Sequence, residues 1–127
     1  MQKTGVVFAL TRDNKILMQQ RDENCEKFPL MWCIPGGARE GNEDYESTLL
    51  REIKEEYDLD LKPDQCTYIM DHGGGNNKVY LCKVDHNQEP KLQEGIAMKW
   101  MSIDEIENVK LGFNQEIIMQ TLKTFTL

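Results

Sequence analysis

The chain has few cysteines, few histidines and no long apolar run, and each shortage excludes a class of protein. Its four cysteines form no CxxC pair and it has only two histidines, so we expect no zinc site. No stretch approaches the roughly 20 apolar residues of a membrane-spanning helix. The first ten residues lack a signal-peptide cleavage pattern, so we expect a cytoplasmic protein with reduced thiols.

Basic residues are scarce as well. Fifteen lysines and arginines face 22 aspartates and glutamates, a net charge of −7. A general nucleic-acid binder presents a basic patch, so this class is not expected. A small phosphate-bearing molecule stays compatible, because a divalent cation can invert the field of an acidic site. The length of 127 residues suits one domain, expected over residues 1–127.

The order of the predicted elements is α/β. Apolar and β-branched runs predict strands at residues 5–10, 15–21, 31–34, 66–70, 78–84 and 97–101. Helical spacing predicts helices from Glu43 to Tyr57 and from Asn114 to Phe125. Ser102, with Glu105 three residues later, predicts a capping box that opens a short helix. These elements predict a mixed sheet with a helix on each side.

The first predicted helix carries a group of acids. Glu52, Glu55 and Glu56 stand at positions i, i+3 and i+4 and crowd one side of the helix. Arg51 can offset Glu55, four residues away, whereas Glu52 and Glu56 have no such partner on the helix. One interpretation is a solvated acidic face. The other is a site for Mg²⁺ or Mn²⁺, which prefer oxygen ligands and are often completed by substrate phosphates.

The residues around these acids resemble the Nudix box, whose pattern is G-x5-E-x7-R-E-U-x-E-E-x-G-U, with U a bulky aliphatic residue. The matching positions are Gly37, Glu43, Arg51, Glu52, Ile53, Glu55, Glu56 and Leu59. The one departure is Asp58, which replaces the second glycine of the pattern. That position lies just past the helix end, where a left-handed residue is common, and Asp tolerates this conformation. The departure therefore concerns backbone shape and not a ligand.

The resemblance implies a metal site on the helix. Glu52 and Glu56 would be metal ligands, and Glu55 a ligand or helper. Glu52 would also be a candidate general base, acting directly or through a metal-bound water. Arg51 would orient the glutamates by ion pairing.

The resemblance also implies roles outside the helix. Gly36 and Gly37, after a proline, mark a tight and unusual backbone path that would let the loop fold back. The Gly36 carbonyl could join the coordination sphere, and Glu43 would have a supporting role. Glu94 resembles a loop glutamate of MutT-type members that serves as an extra metal ligand or base; the alternative is an exposed loop acid.

Three further residues are candidates for substrate binding in a MutT-type enzyme. Arg21 could bind a phosphate or a purine carbonyl through its two-pronged guanidinium, or form a surface ion pair with Asp22 or Glu23. Asn114 could be the N-cap of the last helix, or read a purine edge with its amide. Phe113 could stack on a base, or belong to the core.

The resemblance implies a Nudix fold, an α/β/α sandwich around a mixed sheet, and a Mg²⁺-dependent hydrolase. The expected substrate is a small nucleoside-diphosphate derivative. A nucleoside triphosphate comes first, with an oxidised purine of the 8-oxo-dGTP kind as a candidate, cleaved to a monophosphate and pyrophosphate. The alternatives are an ADP-sugar, a dinucleoside polyphosphate or a capped RNA end; a non-catalytic nucleotide sensor; or a prenyl-diphosphate isomerase using Cys33. No membrane partner is expected, and the chain would be a monomer or a homodimer.

Overall fold

The computed structural model describes residues 4–127, so the first three residues of the predicted domain lie outside the described residues. The described strands are β1 (Gly5–Arg12), β2 (Lys15–Gln20), β3 (Trp32–Cys33), β4 (Gly36–Ala38), β5 (Cys66–His72), β6 (Asn77–Lys83) and β7 (Ala97–Met101). The described helices are α1 (Tyr45–Tyr57), α2 (Ile103–Ile106) and α3 (Glu116–Leu122), with a 3₁₀ helix at Pro63–Gln65.

The strands form one mixed sheet in the order β3-β2-β1-β6-β5, with β4 paired to β1 and β7 paired to β2. Strand β1 runs parallel to β6 and antiparallel to β2 and β4. It pairs with β2 at its C-terminal end and with β4 at its N-terminal end. Sequence patterns missed β4, because its two glycines have low strand propensity.

The two faces of the sheet are covered by different helices. Along β1, Val6, Phe8 and Leu10 point to one face, where they pack with the apolar stripe of α1. Ala9 points to the other face and packs with α2 and α3. The predicted α/β/α sandwich around a mixed sheet is therefore confirmed. No helix of residues 4–127 is long and apolar enough to cross a membrane.

The ends of α1 follow the sequence signals closely. The Asp44 carboxylate accepts a hydrogen bond from the Ser47 amide at 2.7 Å and caps the N-terminus. Asp58 is the C-cap residue, with φ at 54°, and its amide donates to the Lys54 carbonyl. The predicted left-handed position of Asp58 is thus confirmed. The capping box of Ser102 and Glu105 is confirmed too.

The prediction for the last helix was wrong at its start. The helix begins at Glu116 and its N-cap position is Gln115, so Asn114 is not the N-cap. Phe113 and Asn114 both have positive φ, at 59° and 56°, which turns the chain before the helix can begin. The Gln115 amide does not cap either, because it bonds to the backbone of Ile34 in the neighbouring segment.

Candidate active site

The three glutamates of α1 lie in different surroundings. Glu52 and Glu56 are buried, each 8% exposed, on the side of the helix that faces the sheet. Glu55 is exposed and bonds to Arg51 at 3.2 Å. Helical spacing therefore brings Glu52 and Glu56 inward together, one turn apart, and leaves Glu55 at the rim.

Arg51 holds the surroundings of Glu52 in place. Its guanidinium donates to Glu43 at 2.8 and 2.9 Å, to Glu52 at 2.9 Å and to the Ala38 carbonyl at 3.0 Å. The hydrogen bonds from Arg51 lower the pKa of Glu43 to about 2. The prediction that Glu52 lacks a partner on its own helix was wrong, because a long arginine side chain can reach its neighbour in sequence. Arg51 thus joins α1 to the strand before it.

Within residues 4–127, Glu56 has no arginine partner, and the Gln19 side chain bonds to it instead. The Oε2 atom of Glu56 is buried and has no hydrogen-bond partner among the described residues. Burial and the nearby charge of Glu94 raise the pKa of Glu56 to about 7. Burial also raises the pKa of Glu52, against the opposing effect of Arg51. A buried carboxylate oxygen without a donor is costly unless a cation binds it.

Glu94 is held opposite Glu56 by backbone hydrogen bonds on both sides of it. The Gln93 amide donates to the Glu56 carbonyl at 3.0 Å, and the Ile96 amide donates to the Gln20 carbonyl at 3.1 Å. The Gln19 side chain donates to the Glu94 carbonyl at 2.6 Å. The loop is thus fastened between the end of α1 and β2. Gln19 was missed from the sequence, although a polar residue inside a buried strand was a usable signal.

The two glycines of β4 are needed for close approach. Both lie in extended strand, so the predicted tight and unusual turn at Gly36 and Gly37 was wrong. A Cβ atom on Gly36 would lie 2.2 Å from the Val6 carbonyl oxygen. A Cβ atom on Gly37 would lie 2.0 Å from the carboxyl carbon of Glu52. The second contact brings the backbone of β4 directly against the Glu52 carboxylate.

The Gly36 carbonyl points away from β1. The Phe8 amide bonds to the Pro35 carbonyl and the Arg39 amide bonds to the Thr4 carbonyl. Bonded and non-bonded pairs alternate along an antiparallel ladder, so Gly36 and Ala38 occupy non-bonded positions toward β1. The Ala38 carbonyl accordingly accepts from Arg51 on the α1 side. The Gly36 carbonyl projects from the same edge of β4 and is available to a ligand there.

A cavity of about 640 Å³ lies beside these groups and has two chemically different ends. One end contains Glu56, Glu94, Gly36 and Gly37, and the other contains Arg21, Phe28 and Phe113. Its size falls in the usual range for a small-molecule site, roughly 300–1,000 Å³. An acidic end and an aromatic end in one cavity suit a ligand with a phosphate part and a planar ring.

The aromatic end is preorganised. The rings of Phe28 and Phe113 lie 4.8 Å apart, and the Arg21 guanidinium lies 4.8 Å from the centre of the Phe113 ring. Arg21 also donates to the Lys27 carbonyl at 3.0 Å. Within residues 4–127 it forms no ion pair with Asp22 or Glu23. Phe113 lines the cavity and is 38% exposed, so it is not a core residue.

Phe28 was not predicted as a substrate-binding residue. The feature that marks it is its backbone conformation, which the sequence does not show. Phe28 has φ at 52°, a conformation that a bulky residue rarely adopts. Such strain clusters where a site requires it.

Asn114 is exposed and is not among the residues that line the cavity. Gln115 does line it, but both ends of its amide bond to Ile34.

The acidic end fits a hard cation. Across residues 4–127, no three His, Cys, Asp or Glu side chains converge to hold a metal ion by themselves. Mg²⁺ needs fewer side-chain ligands, since it usually binds one or two carboxylates and completes its coordination shell with waters and substrate phosphates. Glu56 and Glu94 supply such a pair, and the unpartnered Glu56 Oε2 is the atom that a cation would satisfy.

Comparison with known proteins gives consistent results. A family model described as the NUDIX domain matches residues 1–122. A "MutT-like protein" of Streptomyces ambofaciens is 29% identical over 104 residues, which are 80% of this chain and 63% of that protein. The chain thus spans less than two thirds of the length of this curated relative.

Solved structures agree in fold. A MutT NUDIX hydrolase from Burkholderia pseudomallei superposes with a TM-score of 0.77 at 27% identity, covering 96% of this chain and 99% of that chain. The NUDIX domain of Shewanella oneidensis NrtR, solved in complex with ADP ribose, has a TM-score of 0.70 at 20% identity. That match covers 98% of this chain and 88% of the other.

The glycine contacts give a matched pair of test variants. Gly36→Ala should lower the unfolding free energy by at least about 2 kcal/mol, because its new methyl group meets immobile backbone. Gly37→Ala should cost less than Gly36→Ala, because its methyl group meets the end of the Glu52 side chain, which can move by giving up its bond to Arg51. Urea unfolding measures the unfolding free energy of both variants. Calorimetric titration should show weaker Mg²⁺ binding by Gly37→Ala, and unchanged binding would contradict the placement of Glu52.

Proposed function

The chain belongs to the NUDIX domain family, and from this we propose that it hydrolyses the diphosphate linkage of a nucleoside-diphosphate derivative with the help of Mg²⁺ or Mn²⁺. The observation that carries the proposal is the buried, unpartnered oxygen of Glu56, which faces Glu94 at one end of a cavity with an aromatic opposite end. This arrangement suits a cation and has room beside it for a nucleotide.

The cation would be held by Glu56, Glu94 and the Gly36 carbonyl, with Glu52 joining when its carboxylate turns from Arg51. Mg²⁺ supplies neutralisation of the diphosphate charge and polarisation of the phosphorus centre. The residues of the chain then have two tasks, which are to keep these ligands in position and to take the proton of the attacking water.

Glu52 is the first candidate for the proton acceptor. Arg51 bonds to its Oε1 atom and so fixes the carboxylate while leaving Oε2 unbonded to the guanidinium. Burial raises the pKa of Glu52, and a higher pKa makes a carboxylate a stronger base. Glu94 is the alternative, since it lies on the cavity wall beside Glu56. Glu55 has a helper role at the rim through its bond to Arg51.

The aromatic end would bind the base. Phe113 and Phe28 offer ring faces for stacking, and the guanidinium of Arg21 can donate to a carbonyl or a phosphate. A nucleoside triphosphate fits this division, with the purine at the aromatic end and the phosphates at the acidic end. An oxidised purine would add a carbonyl within reach of such a donor. The products would be a nucleoside monophosphate and pyrophosphate.

One observation favours a second candidate substrate, an ADP-sugar or a dinucleoside polyphosphate. The residues that line the cavity also include Thr4, His72 and Asn77, whose side chains carry hydroxyl, imidazole and amide groups. Among the described residues of the wall, Arg21 is the one arginine or lysine. A second sugar or nucleoside would find hydrogen-bonding groups there, whereas a γ-phosphate would depend on metal ions for compensation of its charge.

The first experiment measures phosphate and pyrophosphate release from a nucleotide panel. The panel contains the normal and 8-oxo nucleoside triphosphates, ADP-ribose, a nucleotide sugar and a dinucleoside polyphosphate. We expect turnover that needs Mg²⁺ and is abolished by EDTA. Glu52→Gln and Glu56→Gln should each lower kcat at least about 100-fold, because each removes a group that acts on the metal or on water.

Glu46→Gln is the matched control. Glu46 is an exposed acid on the same helix and should tolerate the change without loss of activity. The best substrate then identifies the subclass. A wild-type protein that binds a panel member but turns over none of them would replace the hydrolase proposal with a nucleotide sensor.

The aromatic end is tested separately. Phe28→Ala should raise KM for the best nucleotide by about 10-fold or more with little change in kcat, since stacking on a base is worth roughly 1–3 kcal/mol. Phe28→Leu keeps the apolar contact and loses the ring, so it should lose most of the same affinity. Ile117→Ala, at an exposed position on α3, is the control. Inorganic triphosphate has no base, so an equal rise in KM for this compound would contradict the stacking role.

A further inference from the structure

Two of the four cysteines face each other across a strand pair outside the cavity. Strands β5 and β6 are antiparallel, and their register places Cys66 directly opposite Cys82. Cys66 is half-buried and Cys82 is fully buried. Both thiols are free in the structure.

The backbone already has the spacing of a disulfide at this position. Directly opposite residues of an antiparallel pair have Cα atoms about 4.5 or 5.5 Å apart, depending on the type of pair. A disulfide joins residues whose Cα atoms are roughly 4.4–6.8 Å apart, so either type is suitable. Opposite residues also point to the same face of the sheet. A bond between the two sulfurs therefore requires side-chain rotation and a small approach of the two strands, since Cβ atoms of opposite residues lie slightly farther apart than those of a disulfide.

The two thiols differ in reactivity, and Cys66 is the one expected to react first with an oxidant. Hydrogen bonding to the Cys82 side chain lowers the pKa of the Cys66 thiol, which favours its thiolate. Hydrogen bonding to Cys66, together with burial, raises the pKa of the Cys82 thiol. The thiolate is the nucleophile in thiol–disulfide exchange. The thiol with the lowered pKa also belongs to the less buried residue of the two.

We propose that Cys66 and Cys82 are a redox pair that closes to a cross-strand disulfide on reaction with a small-molecule disulfide. The Cys66 thiolate attacks one sulfur of the oxidant, forms a mixed disulfide and releases one thiolate. The Cys82 thiol then loses its proton, attacks the Cys66 sulfur and releases the second thiolate. The two cysteines lose two electrons and two protons, and the oxidant is reduced to two thiols.

The bond would fasten β5 to the sheet. Strand β5 ends the strand order, and β6 is its neighbour within the sheet. The other end of the β5–β6 hairpin reaches the cavity, where His72 bonds to the Phe113 carbonyl at 2.9 Å. The disulfide would close a loop of residues 67–81 and so reduce the number of conformations open to the unfolded chain. This should raise Tm by on the order of 10 °C.

The test exposes the full chain to oxidised glutathione and follows it by intact mass, peptide mapping and thermal unfolding. We expect a loss of about 2 Da without added glutathione, a linked peptide pair that contains residues 66 and 82, and the higher Tm. Dithiothreitol should reverse all three changes. This result does not depend on the proposed hydrolase activity, so the two proposals can fail separately.

Matched variants separate the pair from the other two cysteines. Cys66→Ser and Cys82→Ala should each abolish the mass loss and the rise in Tm, whereas Cys25→Ser and Cys33→Ala, at half-buried and buried positions, should preserve both. The Cys82→Ala variant should hold glutathione on Cys66. Stable glutathionylation of the wild type, or a bond between Cys25 and Cys33, would overturn the proposal. An unchanged Tm after the bond has formed would overturn its stabilising role.

Discussion

The burial of two carboxylates on one side of α1 is the constraint on which the rest of the site depends. Desolvation makes each charge costly, and the protein compensates them differently. Glu52 receives a hydrogen bond from Arg51, and Arg51 in turn bonds to Glu43 and to the Ala38 carbonyl. Glu56 receives no donor at Oε2 from the described residues. The folded chain therefore contains a negative charge that a bound cation would satisfy.

The fold keeps that charge in place because the apolar stripe beside the glutamates fixes α1 against the sheet. Leu49, Ile53 and Tyr57 are fully buried against the sheet, so the helix cannot rotate to expose its glutamates without opening the core. The absence of a side chain at Gly37 lets the backbone of β4 approach Glu52. The loop that carries Glu94 is bonded to the end of α1 and to β2, which brings a second carboxylate to Glu56. The apolar stripe and the two buried glutamates thus occupy adjacent positions on the buried side of one helix.

The sequence predicted the parts of this site that depend on local spacing. The carboxylate positions on α1 and the two faces of the sheet follow from helical and strand periodicity, the left-handed Asp58 follows from the resemblance to the Nudix box, and the structure confirms them. Membership of the Nudix family is confirmed as well. The errors concern contacts between distant segments. Spacing could not indicate that Gly36 and Gly37 form a strand against β1, or that Gln115 would bond to Ile34 and leave Asn114 outside the cavity wall.

The effect of Mg²⁺ on stability tests most directly whether Glu56 binds the cation. The measurement is the unfolding free energy of wild type and Glu56→Gln in EDTA and in increasing MgCl₂ at pH 8. In EDTA the variant should be at least as stable as wild type, because it lacks the uncompensated buried charge. Mg²⁺ should stabilise wild type, by about 2.7 kcal/mol at one hundred times its dissociation constant, and leave the variant unchanged. An equal rise in the unfolding free energy of both proteins with Mg²⁺ would show that Glu56 does not bind the cation.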